Sequence, residues 1–312
     1  MNDTRRAILD ALAAGPVSGP ELSERLAVSR AAIWKHVEAL REAGFEVESG
    51  SEGYVLESVP EYNGPALEYG LDAPFAVEYH DSLPSTNARA RELAAEGATD
   101  AVVVADEQTG GRGRLDRGWS SPPGGIWLSM LSRPSIAPAR APLYTLAGAV
   151  ATARAVRSAG VDARIKWPND VVLTGDESTD YRKLAGVLTE MEGEADRIGW
   201  LIVGVGLNAN VDSGELSEGA TTLRELVGDV DRRAVVHELL SEFDALRGDL
   251  EGVVPAWREL TATIGRCVRV DAPGGAVVGR AVDVTDSGGL VIETGERRET
   301  VAAGDCEHLR PV

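Results

Sequence analysis

The 312-residue chain contains little lysine. Only Lys35, Lys166 and Lys183 occur among its 31 basic residues, against 50 aspartates and glutamates. The net charge of −19 argues against nucleic-acid binding by the whole chain, because such proteins favour a basic surface. A small DNA-binding domain that is locally less acidic stays compatible with it. We interpret the acidic excess as a strongly hydrated surface suited to high salt, a halophilic composition.

Long apolar runs, export signals and metal-ligand spacings are also absent. The first 15 residues have no apolar core or cleavage pattern, and no run of about 18 apolar residues occurs, so we predict a cytoplasmic protein without a membrane partner. Cys267 and Cys306 lie far apart, which favours free core thiols over a disulfide. The four scattered histidines argue against a structural zinc site.

The first sixty residues have the pattern of three helices and a hairpin. Residues 5–14 carry an apolar stripe, Ser18 opens a capping box, and Ser29 precedes a third helical stripe. Two short strands, Phe45–Glu48 and Tyr54–Glu57, surround a glycine-containing turn. This order predicts a winged helix-turn-helix.

We place this domain at residues 1–60, with a Pro- and Gly-rich linker at 61–74. The third helix of such a domain enters the DNA major groove by its N-terminal end. The predicted DNA-binding residues are Ser29, Arg30, Trp34 and Lys35. With six basic and ten acidic residues the segment is not basic. A protein-docking domain, or a winged helix that no longer binds DNA, is therefore the alternative.

From Phe75 onward, strand patterns alternate with helical patterns, which predicts a mixed α/β domain. An alanine-rich run predicts a helix at Pro138–Ala159, and residues 161–166 with 171–173 predict a hairpin. The other predicted strands are 102–105, 126–131, 184–191 and 200–206.

The loop Gly110–Trp119 concentrates positive charge in this acidic chain. Arg112, Arg114 and Arg117 lie within six residues and alternate with glycines. Glycines let a ligand approach the backbone, and arginines offer fixed donor forks to phosphate or carboxylate. The alternative is a flexible surface loop.

Two further motifs hold the remaining lysines. Lys166, Asn169 and Asp170 share one tight turn between strands, which suits a polyphosphate with magnesium. Lys183 enters a strand whose Gly186 leaves room for a ligand. The alternatives are an ordinary Pro-Asn-Asp turn and an exposed lysine at a strand end.

Residues 204–209 fit the dinucleotide fingerprint G-x-G-x-x-A after a strand. That fingerprint requires a helix to begin there, but residues 210–214 have a turn-like composition. We therefore reject a Rossmann site and interpret Asn208 as an amide that reads a purine edge.

In their order along the chain, these motifs resemble those of the biotin–protein ligases. The matching segments are Ser85-Thr86-Asn87, Gln108-Thr109-Gly110, GRGR…W at 111–119, KWPND at 166–170, RKLAG at 182–186 and GVGLN at 204–208. The N-terminal segment makes the chain similar to the bifunctional ligase–repressor subclass. The resemblance covers nearly the full length. It implies an α+β multi-domain protein, with a mixed α/β catalytic domain like that of class II aminoacyl-tRNA synthetases at 75–262 and an SH3-like β-barrel at 263–312.

The resemblance implies an enzyme that activates biotin with ATP and Mg²⁺ as biotinyl-5′-AMP and biotinylates a lysine of a biotin carboxyl carrier protein. The implied biotin-binding residues are Ser85, Thr86, Asn87, Gln108, Arg112, Gly113, Arg114, Lys183 and Gly186. The implied ATP-binding residues are Arg117, Trp119, Lys166, Asn169 and Asn208. The implied catalytic residues are Lys183, Arg114, Lys166 and Asp170, of which Asp170 also faces the metal.

A second implied role is a biotin-responsive repressor that binds operator DNA as a homodimer, joined through sheet edges of the central domain. Two departures from the family pattern are Asp116, where many relatives have glycine, and a longer acidic connection at 174–182, interpreted as a surface insertion. The alternative functions are a lipoate or octanoyl transfer enzyme and a regulator that only senses biotin. The arginine loop disfavours the first, and intact Lys166, Asp170 and Lys183 disfavour the second.

Overall fold

The computed structural model describes residues 1–175, 181–295 and 297–309, which form two compact units, Met1–Leu71 and Asp72–Val312. Residues 176–180 of the acidic connection and the side chain of Asp116 lie outside this description, so the expectations attached to them stay predictions.

The first unit contains the three predicted helices, α1 (Asp3–Ala13), α2 (Gly19–Leu26) and α3 (Arg30–Glu42). An antiparallel hairpin follows, β1 (Glu46–Gly50) and β2 (Gly53–Ser58). The sequence-based prediction of three helices and a hairpin is confirmed. Capping explains the helix starts, since the side chains of Asn2, Ser18 and Ser29 each accept a hydrogen bond from a first-turn N–H.

A short helix, α4 (Gly64–Glu68), occupies part of the segment that we interpreted as a linker. Its Ala66 and Leu67 are buried, and Tyr69 meets Phe45 edge-on with ring centroids 6.2 Å apart. Asn63 caps the helix and Pro65 lies in its first turn. Glycine and proline residues that suggested a linker therefore lie in the first turn of a helix, and the compact unit extends to Leu71.

The second unit contains a seven-stranded mixed sheet of order β3-β4-β5-β9-β8-β7-β6, in which β3 and β4 are parallel and the other neighbours antiparallel. Its strands are β3 (Ala76–Leu83), β4 (Ala101–Gln108), β5 (Ile126–Ser132), β6 (Arg164–Lys166), β7 (Asp170–Thr174), β8 (Tyr181–Gly193) and β9 (Ile198–Leu207). The predicted mixed α/β character of this region is confirmed.

This unit also contains α-helices, some of which pack on the sheet. They are α5 (Thr86–Ala95), α6 (Pro142–Ser158), α7 (Leu223–Val227), α8 (Arg232–Gly248) and α9 (Leu250–Leu260). Helix α6 contacts β8 and β9 on one side and α8 and α9 on the other. It is apolar around most of its circumference because both sides are covered. The alanine-rich helix was predicted to begin at Pro138, but the structure has a 3₁₀ turn there and α6 begins at Pro142.

The C-terminal part of this unit is a five-stranded antiparallel sheet of order β13-β12-β11-β10-β14. Its strands are β10 (Cys267–Ala272), β11 (Gly275–Val284), β12 (Leu290–Thr294), β13 (Arg297–Val301) and β14 (Asp305–His308). Cys267 and Cys306 are free thiols, as predicted. In the described residues, every helix is too short or too polar to cross a membrane.

Candidate active site and DNA-binding face

A cavity of about 990 Å³ lies between one face of the seven-stranded sheet, the arginine-rich loop and the C-terminal sheet. Its volume is at the upper end of the range that is usual for small-molecule sites. Every residue predicted to bind biotin, ATP or a metal lines it, namely Ser85, Thr86, Asn87, Gln108, Arg112, Gly113, Arg114, Arg117, Trp119, Lys166, Asn169, Asp170, Lys183, Gly186 and Asn208.

One end of the cavity is an array of neutral polar groups at the start of α5. The Thr86 amide and hydroxyl both donate to Oε1 of Gln108, at 2.8 and 3.0 Å. Nε2 of Gln108 donates to the Ser121 hydroxyl at 3.0 Å. Ser85 caps α5 by accepting from the amide of Ala88. These bonds fix the orientation of each amide and hydroxyl, which suits a neutral ligand with several donors and acceptors.

Asn87 connects this array to the central strands. Its Nδ2 donates to Oε1 of Glu190 at 2.8 Å, and its Oδ1 accepts from the Ser129 hydroxyl at 2.5 Å. A Cβ atom on Gly204 would lie 2.2 Å from that Oδ1, so Asn87 requires glycine at this position. The sequence analysis missed Glu190. Its signal was the period of two along β8, which places Glu190 on the same face as Gly186.

The two cavity lysines meet different partners. Nζ of Lys183 lies 2.6 Å from Oδ1 of Asp170 on the neighbouring strand and 4.9 Å from the ring centroid of Trp119. Lys166 is 8% exposed, and its Nζ donates to the Tyr181 hydroxyl at 2.7 Å. The sequence placed both lysines in one site but did not show that Asp170 binds one of them.

The arginine-rich loop is attached to both sheets. Arg114 donates to Oδ1 of Asn169 at 3.0 Å and to the carbonyl oxygen of Gly304 at 2.7 Å. Arg117 donates to Oδ2 of Asp305 at 2.6 Å. Residues from β10 and β14 thus line the cavity, which sequence reasoning missed because no local motif marks them.

Two glycines make room for Trp119. A Cβ on Gly206 would lie 2.5 Å from Nε1 of Trp119, and one on Gly186 would lie 3.4 Å from its Cζ3. The glycines of the 204–206 motif therefore accommodate side chains rather than the turn of a dinucleotide site. After Leu207 comes a loop with a 3₁₀ turn, Ser213–Glu215, and not a helix, which agrees with rejecting a Rossmann site.

Asn208 follows directly and is 1% exposed. Its Nδ2 donates to the carbonyl oxygen of Thr221 at 3.1 Å. Its Oδ1 has no hydrogen-bond partner among the described residues. A buried acceptor without a partner is costly, so this oxygen is available to a ligand donor.

Burial shifts the pKa values of two titratable groups near Lys166. The pKa of the Cys306 thiol rises to about 12, mainly because burial disfavours the thiolate. The pKa of His308 falls to about 4, through burial first and then through the positive charges of Lys166 and Arg266. At neutral pH both groups are therefore uncharged, and the Cys306 thiol is a poor nucleophile.

The cavity side chains could supply only part of the coordination of a metal ion. Among the described residues, no group of three or more His, Cys, Asp or Glu side chains is arranged to hold an ion. Mg²⁺ at nucleotide sites commonly takes one or two carboxylates, with phosphates and waters completing its coordination. Asp170 fits the role of one such carboxylate, and its Oδ1 faces Lys183.

In the first unit, the N-terminal half of α3 presents the predicted DNA-binding residues. Arg30 and Lys35 are exposed, and Trp34 is 55% exposed. Ser29 is exposed at the cap and accepts a hydrogen bond from the Ala32 amide at 3.2 Å. Ile33, Val37 and Leu40 of the same helix are buried, whereas these four residues are exposed.

Comparisons with known proteins show the family of the chain. Residues 79–208 match the biotin/lipoate A/B protein ligase family, 4–55 match an HTH domain, and 263–309 match the biotin protein ligase C-terminal domain. The chain is 36% identical over 309 residues, 93% of each protein, to the bifunctional ligase/repressor BirA of Bacillus subtilis. The chain belongs to the biotin–protein ligase family.

Two further relatives support this assignment. The ligase is 36% identical to the biotin–[acetyl-CoA-carboxylase] ligase of Mycobacterium tuberculosis over 72% of this chain and 86% of that one. The biotin protein ligase of Aquifex aeolicus, solved with biotin and ATP, superposes with a TM-score of 0.62 at 27% identity. It covers 75% of this ligase and 99% of its own chain. The ligase therefore joins a helix-turn-helix segment, a catalytic domain and a C-terminal antiparallel sheet.

Proposed function

We propose that the protein activates biotin with ATP to biotinyl-5′-AMP and transfers biotin to one lysine of a biotin carboxyl carrier protein. The observation that carries this proposal is the convergence of Lys166, Lys183 and Arg114 around Asn169 and Asp170 in one cavity. In a chain of net charge −19, such a local concentration of cations favours an anionic ligand.

The first step brings two anions together, because a biotin carboxylate oxygen attacks the α-phosphorus of ATP and pyrophosphate leaves. Its barrier falls mainly through positioning and charge stabilisation. In the proposal, Lys183 exchanges Asp170 for the biotin carboxylate, and Arg114, Arg117 and Lys166 face the phosphates. With ATP, Mg²⁺ would neutralise phosphate charge beside Asp170.

The neutral end of the cavity suits the ureido ring of biotin, which both donates and accepts hydrogen bonds. Ser85, Thr86, Asn87 and Gln108 supply the complementary groups. Gly186 keeps the cavity open beside Lys183, and Arg112 and Gly113 line the loop side. Trp119, Asn169 and Asn208 form the ATP side, where the unpartnered Oδ1 of Asn208 suits an adenine amino group.

The arginine-rich loop retains the intermediate in this proposal. Biotinyl-5′-AMP is a mixed anhydride that water hydrolyses, so a loop that covers it excludes water. In the second step an acceptor lysine amine attacks the anhydride carbonyl carbon, an amide bond forms, and AMP leaves.

We also propose that residues 1–60 form a winged helix-turn-helix that represses transcription from operator DNA in response to biotin, with the ligase acting as a homodimer. Support comes from the exposed face of α3 and from the bifunctional relatives. We further propose that residues 61–74 connect this domain to a class II synthetase-like domain at 75–262, that residues 263–312 form an SH3-like domain, and that the ligase is cytoplasmic.

The ligase proposal is tested by incubation with biotin, ATP, Mg²⁺ and a carboxyl carrier domain. We expect biotin on one carrier lysine, none on a carrier with that lysine replaced by arginine, and biotin hydroxamate when hydroxylamine traps the adenylate. Absence of both transfer and hydroxamate would overturn the proposal. Lipoate is added as a competitor in the same assay. If it does not reduce biotin labelling of the carrier, the alternative of a lipoate or octanoyl transfer enzyme is excluded.

The repressor proposal is tested by a gel shift with the DNA upstream of the organism's biotin genes. We expect binding that requires biotin and ATP together, at a salt concentration held constant because phosphate contacts weaken steeply with ionic strength. If the intermediate causes no shift, the regulatory role is abandoned.

A further inference from the structure

Tyr181, the first residue of β8, lines the cavity beside Lys166. Nζ of Lys166 lies 2.7 Å from the Tyr181 hydroxyl oxygen and 4.4 Å from the ring centroid. An ammonium group can only donate, so the tyrosine oxygen is the acceptor in this bond. The tyrosine proton is consequently left to donate to another group.

Lys166 has unused donors as well. Its ammonium carries three N–H bonds, and within the described parts of the chain Tyr181 is its one hydrogen-bond partner. A cation that is 8% exposed is costly to bury unless an anion or several acceptors surround it. The pair of Lys166 and Tyr181 thus offers several donors to the cavity and is incomplete without an acceptor.

A chain of contacts links the Tyr181 ring to the turn that follows Lys166. The ring of His308 on β14 meets the Tyr181 ring edge-on, with centroids 5.7 Å apart. Nε2 of His308 lies 3.1 Å from the Thr263 hydroxyl, which accepts a hydrogen bond from the Trp167 amide at 2.9 Å. The residue after Lys166 is therefore connected to the ring that packs on Tyr181, and the donors are preorganised.

We propose that Tyr181 is a phosphate-binding residue, whose hydroxyl donates to an oxygen of a polyphosphate that Lys166 also binds. A phenol that accepts from an ammonium group is a stronger donor, because the bond polarises its O–H. A polyphosphate fits better than one carboxylate, since Arg114 reaches the same turn through Asn169. The identity of this ligand as the ATP triphosphate, or the pyrophosphate it releases, rests on the proposed function.

The test compares Tyr181→Phe with a matched control, Tyr144→Phe. The first change removes the hydroxyl and keeps the ring against Lys166 and His308. Tyr144 is buried against Phe243 on α8 and does not line the cavity, so its change removes a hydroxyl elsewhere. The measurements are KM for ATP, Kd for biotin without nucleotide, and Kd for inorganic pyrophosphate by calorimetry.

For Tyr181→Phe we expect KM for ATP and Kd for pyrophosphate to rise about tenfold or more, as expected for a lost hydrogen bond to a charged group. Biotin binding without nucleotide should change less than about twofold, and Tyr144→Phe should match wild type in all three. A role confined to folding would weaken biotin and ATP together, and that result overturns the proposal.

Tyr181→Leu separates the hydroxyl from the ring. If Tyr181→Phe equals wild type and only Tyr181→Leu weakens ATP and pyrophosphate, the ring merely packs on Lys166 and the proposal is wrong. If wild type makes no biotinyl-adenylate but binds pyrophosphate through the Tyr181 hydroxyl, the proposed function fails and the phosphate site stands. If the adenylate forms and Tyr181→Phe matches wild type, the phosphate site alone fails.

Discussion

At the scale of single residues, the ion pair between Lys183 and Asp170 is the clearest case of a side chain held ready for a ligand. The two atoms are 2.6 Å apart, and the side chains are 32% and 18% exposed. A carboxylate already lies where the proposed biotin carboxylate would bind, so Asp170 holds the ammonium group of Lys183 in position.

Lys183→Ala should weaken biotin binding by about tenfold or more, because a hydrogen bond to a charged group contributes about 1.5–3 kcal/mol. Adenylate formation should fall with it. The measurements are calorimetry with biotin and hydroxylamine trapping. Arg197→Ala, which removes an exposed arginine from the β8–β9 turn, is the control. Unchanged biotin affinity in Lys183→Ala would show that Lys183 does not bind the carboxylate.

His308 carries a prediction about acid stability. Its pKa is about 4 in the folded protein and about 6.5 in an unfolded chain, so the unfolded state binds the proton more tightly. The free energy of unfolding should therefore fall as the pH drops from about 6.5 to about 4, by about 3 kcal/mol from this group. Urea unfolding of wild type and His308→Gln at both pH values measures it. A wild type that loses no more stability than the variant would contradict the shifted pKa.

At the scale of elements, the glycines of β9 are required by the side chains that pack on the strand. Gly204 and Gly206 lie on one face of the strand, and Asn87 and Trp119 occupy the space that their missing side chains leave. The strand therefore positions one residue of each proposed subsite, the biotin side through Asn87 and the ATP side through Trp119.

Gly206→Ala should displace Trp119, because the new Cβ would lie 2.5 Å from Nε1 of that ring. We expect KM for ATP to rise about tenfold while thermal stability changes by a few degrees at most. Gly214→Ala is the control, since a Cβ there meets no atom within 4 Å. The packing argument is wrong if Gly206→Ala binds ATP like wild type.

Helix α3 carries the prediction for DNA. Arg30→Ala removes one exposed positive charge from its N-terminal end, so it should weaken operator binding and lower the salt slope of log Kd by about 1. Arg6→Ala removes the same charge from α1 and should leave the slope unchanged. Fluorescence anisotropy at several salt concentrations gives both slopes. Equal slopes for the two variants would remove Arg30 from the DNA-binding face.

At the scale of the whole molecule, the charge of −19 determines how the protein responds to salt. Many of the described arginines pair with carboxylates at exposed positions, as Arg224 does with Asp212 and Asp229. Such surface pairs contribute little to stability individually. The repulsion among the excess carboxylates therefore acts over the entire surface, and counterions reduce it.

The melting temperature should rise as KCl increases from about 0.1 M to about 1 M, because the Debye length falls from about 10 Å to about 3 Å. Differential scanning fluorimetry measures this, and choline chloride at equal ionic strength is the control for a specific effect of K⁺. Similar increases in both salts support screening of the net charge. A melting temperature that is constant or falls with KCl would contradict it.

Sequence reasoning predicted the elements that carry a local pattern and missed the features that depend on distant residues. Helices α1 to α3 and strands β4, β5, β8 and β9 follow local apolar periods and caps, which act over a few residues. The sequence-based prediction missed helix α4, because Asn, Gly and Pro residues favour both a turn and the start of a helix. The cavity contributions of Tyr181 and Asp305 have no local signature, because each depends on a partner that lies on another element or loop, Lys166 and Arg117 respectively.

The sequence by itself determined the family, the residue types of the site and their order, because the motifs are contiguous and carry their chemistry locally. Only the tertiary structure decided how the cations are held. The partnership of Lys183 with Asp170 follows from the pairing of β7 with β8, and that of Lys166 with Tyr181 follows from the placement of β6 and β8 on the two sides of β7. The anchoring of Arg114 and Arg117 to Gly304 and Asp305 follows from contact with a sheet nearly two hundred residues away. Hydrogen bonds and ion pairs require atoms within about 3 Å, and folding alone brings such distant residues together.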